Sequence, residues 1–178
     1  MYKRQGYDAE ILFVDDSTDS TAAEVERVAA DAPLPVRVIH RTDNTGGLGG
    51  AVAVGLEAAA SDLCIVMDGD LQHPPELLPA LVRRHDEGDA DVVAASRYIG
   101  GGDMSGLGTA VRFGVSRSAT WLTRAMFPIR LARSTDPMTG FFLVDRSRLD
   151  LSALRPQGFK ILLEILARTD LRLSLIHI

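Results

Sequence analysis

Cysteine is close to missing from this 178-residue sequence: Cys64 is the one thiol, so an internal disulfide is excluded and a reducing compartment is favoured. Long apolar runs are missing too. None approaches the roughly 18 residues that a transmembrane helix needs, and no secretory signal pattern precedes the first strand-like run. Lysine is reduced to Lys3 and Lys160, which leaves arginine to carry almost all the positive charge. No internal repeat or low-complexity linker interrupts the chain. Apolar and charged fractions of 46% and 24% are those of a soluble globular protein, and the length suits one domain with a real core.

The net charge of −5 is unevenly spread. Between Arg97 and Arg133 lie six arginines (97, 112, 117, 124, 130 and 133) against one acid, Asp103. A basic block of this kind faces anionic partners: phosphate groups, lipid headgroups or nucleic acid. The two ends stand apart. "MYKRQ" and "LSLIHI" look like translated adapter sequence at the edges of an assembled read. Residues 1–6 and 173–178 are therefore set aside as non-native ends, and the domain is drawn at 7–170.

Strand and helix patterns alternate along the chain. "EILFVDD" reads as a strand ending in acids, and "STAAEVERVAADAP" as a helix with a capping box made by Thr21 and Glu24. "VRVIH" is a second strand, and "NTGGLGGAVAVGLEAAA" a glycine-rich turn entering a helix. "DLCIVMD" is a third strand, so uniformly apolar that it is expected to be buried on both faces rather than at a sheet edge. "PPELLPALVRRHDEG" has proline and Glu76 at its start and Gly88 at its end, as a helix should. "DVVAAS" and "GFFLVD" are further strands, a long helix is expected from about Gly108 to Phe127, and "GFKILLEILAR" is a final amphipathic helix. Such alternation implies an α/β fold with a largely parallel sheet.

In such sheets ligands bind beyond the carboxyl ends of the strands. Three strands end in candidate groups there: Asp15-Asp16, Asp68-x-Asp70 and Ser96-Arg97. Carboxylates at i and i+2 can converge on one hard cation when the chain turns between them, and Gly69 permits that turn. Gln72 and His73 lie within reach as further polar contacts. A lone D-x-D is a weak motif, and strand-end aspartates are often only solvated caps; four such acids and a glycine turn together favour a site. The glycine run from Gly46 to Gly50 misses the G-x-G-x-x-G spacing of a dinucleotide fingerprint. It reads instead as a turn that lets backbone approach a nucleotide sugar, or as a tight loop. His40, His85 and His177 carry no motif and are read as surface residues, and Cys64 as core.

Taken together, "VDDSTDST", "NTGGLGGAVAVG", "MDGDLQHPPE", "ASRY", "DPMTGFFLVDR" and "GFKILLEIL" resemble the family 2 inverting glycosyltransferases. Within that family the resemblance is to polyprenyl- or dolichol-phosphate mannose (or glucose) synthases. It covers nearly all of Glu10 to Arg168, and "DGDLQHPPE" is its most specific part. It implies a GT-A-type α/β fold, with a mostly parallel sheet flanked by helices. It also implies transfer of a hexose, with inversion, from GDP-mannose or UDP-glucose to a polyprenyl phosphate at the cytoplasmic face of a membrane.

Residue by residue, the resemblance assigns metal binding (Mg2+ or Mn2+) to Asp68 and Asp70 with Gln72 alongside, and nucleotide-sugar contact to Asp15, Asp16 and Asp68. Arg97, Arg112 and Ser116 would hold the acceptor phosphate, and Asp136 matches the family's downstream acid; the catalytic set is then Asp68, Asp70, Arg97, Arg112 and Asp136. One departure matters. The family's first strand should lie upstream of Tyr7 and is not in this sequence, and any membrane helices of a longer protein would follow Arg168.

The chemistry is consistent with these assignments. A phosphate monoester has a second pKa near ~6 and is already a dianionic nucleophile at neutral pH. It needs cationic positioning more than a general base, and Arg97 and Arg112 suit bidentate contact. On the expected long helix, Val111, Val115, Ala119, Leu122 and Met126 form a core stripe, while Phe113, Arg117, Trp121 and Arg124 face the other way. Aromatics mixed with arginines read as a membrane-resting surface; the plainer reading is burial against another helix. Nucleic acid is not an expected partner. Two alternatives remain: a response-regulator receiver-like phospho-acceptor domain, which would need a lysine where none lies between Lys3 and Lys160, and a non-catalytic nucleotide-sugar binder.

Overall fold

The computed structural model describes residues 8–70, 72–96, 139–158 and 160–177. The expected helix from Gly108 to Phe127, with its Phe113 and Trp121 face, lies outside the described residues, as do Arg97, Arg112, Ser116 and Asp136. The chain divides into two compact units: residues 1–62 with 155–159, and residues 63–154 with 160–178.

In the first unit, β1 (Ile11–Asp15) and β2 (Val36–His40) form a parallel pair in which Ile11 lies opposite Val36 and Asp15 opposite His40. Helix α1 (Thr21–Ala29) packs on β1 and β2, and α2 (Gly47–Ala58) on β1. The small side of α2 lets helix and strand come close: a Cβ on Gly55 would meet Val14 at 3.2 Å. The start of α1 differs from the expected capping box. Asp19 accepts from the Thr21 backbone N–H at 2.9 Å and from its hydroxyl at 2.5 Å, while Glu24 is taken by Arg27. An aspartate two residues ahead closes that turn locally and outcompetes the longer reach from Thr21 to Glu24.

The second unit is a four-stranded sheet in the order β3 (Leu63–Val66), β5 (Phe142–Asp145), β4 (Val92–Ser96), β6 (Leu173–His177). β4 and β6 pair in parallel, whereas β5 runs antiparallel to both β3 and β4. Three of the four strands therefore point the same way, as expected, with one reversed strand inserted between them. Helix α3 (Leu78–Asp86) is led in by a 3-10 turn, Pro75–Leu77, and is ended by Gly88 at φ 82°. It packs on β4, β5 and β6, and its Leu81 is fully buried beside Val93, Ala95, Phe141 and Leu143. Helix α4 (Ile161–Arg168) buries Ile161, Leu162, Ile165 and Leu166, the single apolar stripe of its amphipathic pattern.

One expectation needs correction. β3 lies at an end of its sheet, paired among the described residues only with β5, and all four of its residues are half-buried. The expected burial on both faces is thus met by β4, which is buried throughout, and not by β3. Residues 173–177 form β6, and Ile176 packs against the core.

A clamp sets the start of β6. Arg172 donates to Asp91 from its backbone N–H (2.9 Å), Nε (3.0 Å) and Nη2 (2.8 Å), and its carbonyl accepts from the backbone of Asp91 and Val92. These hydrogen bonds hold the Asp91 carboxyl below the ordinary carboxylate value, against the opposing effect of burial. A lowered folded pKa means that the contribution is present above the unfolded value, ~3.9, and disappears as pH falls through the folded value. Because the Arg172 side chain is 54% exposed, the pair is worth less than a buried one. Asp91→Asn should cost about 1–2 kcal/mol at pH 7. In urea titrations the gap from the parent chain should shrink below pH 4; a gap that stays constant with pH would show that the charge is not what stabilises.

Candidate active site

The strand-end acids expected from the sequence fall into two groups. In the first unit, β1 and β2 end level because their register is parallel, so the acids after β1 meet the bases after β2. Asp15 accepts from the Ser17 hydroxyl at 2.9 Å, from the Ser17 N–H at 3.3 Å and from His40 Nδ1 at 2.9 Å. Burial alone would raise its carboxyl, but the bonds from His40 and Ser17 outweigh it and hold the pKa below the usual value. Next to it Asp16 and Arg41 form a two-pronged pair, Nε to Oδ1 at 2.6 Å and Nη2 to Oδ2 at 2.5 Å. Arg41 also donates to the carbonyls of Thr45 (3.3 Å) and Gly47 (3.2 Å), and the Asp16 bond raises its pKa further.

His40 is exposed, as expected, and it and Arg41, which no motif marks, are partners of the candidate acids. The signal lay in the sequence. "FVDD" and "VIHR" end two strands of equal length, and parallel pairing sets Asp15 against His40 and Asp16 beside Arg41. A cavity of about 560 Å3 opens next to this group, lined by His40, Arg41, Asp43, Gly50 and Val54 among others.

The glycine run serves as a tight loop. Gly46 adopts φ 79° at the start of α2, where a Cβ would come within 2.8 Å of the Pro156 carbonyl oxygen. The Gly49 N–H donates to the Gly158 carbonyl at 2.6 Å, and the Gly158 N–H to that of Gly46 at 3.1 Å. The space the glycines leave is thus filled by the chain's own 156–158 segment.

In the second unit, Asp68 and Asp70 follow β3. Asp70 accepts from the Gln72 backbone N–H at 3.0 Å, and the Gln72 side chain is exposed. Asp68 Oδ2 is 3.2 Å from His73 Nε2, and the His73 ring stacks on Phe141 with centroids 5.1 Å apart. The antiparallel register pairs Val66 with Phe142, so two residues on, Asp68 comes level with Gly140. A Cβ on Gly140 would sit 2.7 Å from Asp68 Oδ2. Among the described residues no three His, Cys, Asp or Glu side chains gather to hold a metal. Two carboxylates, with the remaining positions left to water and phosphate oxygens, are nonetheless a donor set that suits a hard divalent cation. The residues fit that group.

Comparison with known proteins agrees with this fold and these motifs. The profile of glycosyl transferase family 2 matches residues 2–151. The chain belongs to that family. It is 38% identical over 165 residues to the dolichol-phosphate mannosyltransferase of Pyrococcus furiosus, covering 92% of this chain and 45% of the relative. It is 36% identical to the dolichol-phosphate mannosyltransferase of Saccharomyces cerevisiae, covering 91% and 59%. It is 32% identical to the undecaprenyl-phosphate mannosyltransferase of Micrococcus luteus, covering 91% and 66%. The chain thus spans about half to two thirds of the length of these curated relatives.

Among solved structures it superposes on glucosyl-3-phosphoglycerate synthase from Mycobacterium tuberculosis, crystallised with Mn2+, uridine diphosphate and glucosyl-3-phosphoglycerate. The TM-score is 0.64 at 26% identity, covering 94% of this chain and 58% of that one. The fold is of GT-A type. Nothing in these findings supports the receiver-like alternative.

The Arg41 fork can be tested directly. Arg41→Ala should lower stability by about 2–3 kcal/mol, since it strips a charged bond from a partly buried carboxylate. Arg41→Lys keeps the charge but not the planar fork, and should recover less than half of that loss in thermal or urea melts. A lysine variant as stable as the parent would mean that charge alone holds Asp16.

Proposed function

We propose that this chain is the donor-binding part of a membrane-associated glycosyltransferase that moves a hexose from a nucleotide-diphosphate sugar to a polyprenyl phosphate, with inversion. The observation that carries the reading is Asp68-x-Asp70 at the end of β3, with His73 and Gly140 both close to the Asp68 carboxylate, in a chain of family 2. The names of the mannosyltransferase relatives favour mannose as the sugar and a polyprenyl phosphate as the acceptor.

In this reading Asp68 and Asp70, with Gln72 alongside, hold a divalent cation. Mn2+ is favoured over Mg2+ by the Mn2+ in the similar mycobacterial synthase. Such a cation supplies charge neutralisation to the departing diphosphate. Asp15 and Asp16 take the nucleoside end of the donor. The dianionic acceptor phosphate attacks the anomeric carbon from the face opposite the leaving diphosphate. Arg97, Arg112 and Ser116 orient that phosphate and offset its repulsion from the donor's phosphates, and Asp136, the match to the family's downstream acid, completes the catalytic set. No group needs to take a proton from the nucleophile, because at neutral pH most of the acceptor has already lost it.

The test is donor binding in the parent chain. Asp68→Asn or Asp70→Asn should abolish Mn2+-dependent binding of GDP-mannose or UDP-glucose, read by calorimetry, with the melting temperature little changed. Arg112→Ala should leave donor affinity within a few-fold while use of a short polyprenyl phosphate falls by at least about ten-fold, a loss of ~1.4 kcal/mol in transition-state binding. Donor affinity indifferent to chelator and to both aspartate changes would overturn the metal assignment. Collapse of donor binding in Arg112→Ala would move that arginine to the nucleotide.

A further inference from the structure

We propose that His73 and Gly140 are positioning residues that fix the Asp68 carboxylate in the orientation a divalent cation requires. The inference rests on the reading of Asp68 as a cation ligand and extends it to two residues with no ligating role of their own.

Three observations converge on the same carboxylate. A carboxylate only accepts, so in the 3.2 Å contact His73 Nε2 must carry the hydrogen and donate it to Asp68 Oδ2. The imidazole is itself held. Its side chain is 16% exposed, its ring lies at 28° to that of Phe141, and Phe141 is fully buried. Pro74 follows at once and restricts the backbone of His73 to extended conformations. The Gly140 backbone comes so near the same carboxylate that an added Cβ would stand 2.7 Å from Oδ2 and 3.2 Å from Oδ1. Asp68 Oδ2 thus has both a fixed donor and a bare backbone position close to it. Its second oxygen, Oδ1, accepts from no described residue. One oxygen anchored and the other without a donor among the described residues matches a ligand carboxylate steered by an outer partner.

The plainer account is a surface ion pair that adds a little stability. Asp68 is 39% exposed, and pairs so exposed contribute little to folding, at most about 1 kcal/mol. That leaves the close approach of Gly140 unexplained. Contact geometry also separates the two accounts. An alanine at 140 would meet the far end of a short side chain, which can swing away, so the cost falls on carboxylate orientation rather than on the backbone.

The experiment measures Mn2+ binding by the loss of the free-ion electron paramagnetic resonance signal, with the metal alone and with added GDP or UDP. It compares the parent chain with Asp68→Asn, His73→Phe, His73→Gln and Gly140→Ala. Phenylalanine keeps the ring stack and loses the donor. Glutamine places an amide N–H where Nε2 was. His73→Phe and Gly140→Ala should each weaken Mn2+ binding by about 10- to 100-fold, with melting temperatures close to the parent. His73→Gln should return affinity to within a few-fold of it. If Asp68→Asn abolishes binding while His73→Phe and Gly140→Ala bind as the parent does, the positioning role is wrong and the cation reading stands. Should the parent bind no Mn2+ under either condition, both fall. Were His73→Phe to unfold, Gly140→Ala against the parent decides the matter alone.

Discussion

The reversal of β5 is the constraint on which the Asp68 group depends. β3, β4 and β6 point one way, and their carboxyl ends share one edge of the sheet. A parallel β5 would deliver its own carboxyl end to that edge, where Asp145 and Arg146 would follow. Running antiparallel, it delivers its amino end instead. With Val66 opposite Phe142, the residues just before the strand, Thr139, Gly140 and Phe141, arrive beside the aspartate just after β3. One strand therefore supplies a buried ring to carry His73 and a side-chain-free position beside the Asp68 carboxylate. Thr139 Oγ1 accepts from the Phe141 N–H at 3.2 Å, which fixes the turn into the strand.

Charge is arranged differently at the two sets of strand-end acids. Asp15 and Asp16 each have a basic partner, and Asp15 is further saturated by Ser17. In Asp15 and Asp16 both carboxylate oxygens are already taken by donors, which leaves little capacity for a further partner. Asp70 is exposed and meets only a backbone N–H among the described residues, and Asp68 meets one histidine. Hydrogen-bond occupancy among the described residues therefore differs between the two sets of acids, saturated after β1 and sparse after β3.

How much of this was legible in the sequence varies with the range of the interaction. β1, α1, β2, α2, α3, β4 and α4 could be drawn from apolar period, proline and glycine, which are local signals. The Asp68-x-Asp70 pair was legible for the same reason, since spacing within one turn is a property of the segment itself. The reversal of β5 was not, because "GFFLVD" reads equally well in either direction; nor was its insertion between β3 and β4. Gly140 therefore looked like part of a turn before a strand, and nothing nearby in sequence announces Asp68 as its neighbour. The position of β3 at an end of the sheet among the described residues does not follow from its hydropathy, which is silent about a strand's edges.

The bases opposite Asp15 and Asp16 are an intermediate case, and they show what kind of reasoning recovers such contacts. Neither His40 nor Arg41 belongs to a motif. Once β1 and β2 are taken as parallel neighbours of five residues each, their ends must be level, and the residues beyond those ends must meet. "DD" after one and "HR" across the end of the other then become complementary rather than incidental. The same register argument, run with the opposite sense, takes Val66 and Phe142 to Asp68 and Gly140. Pairing direction and register are thus the information that converts isolated strand-end residues into constellations, and here each constellation follows from counting outward along two strands from one known pair.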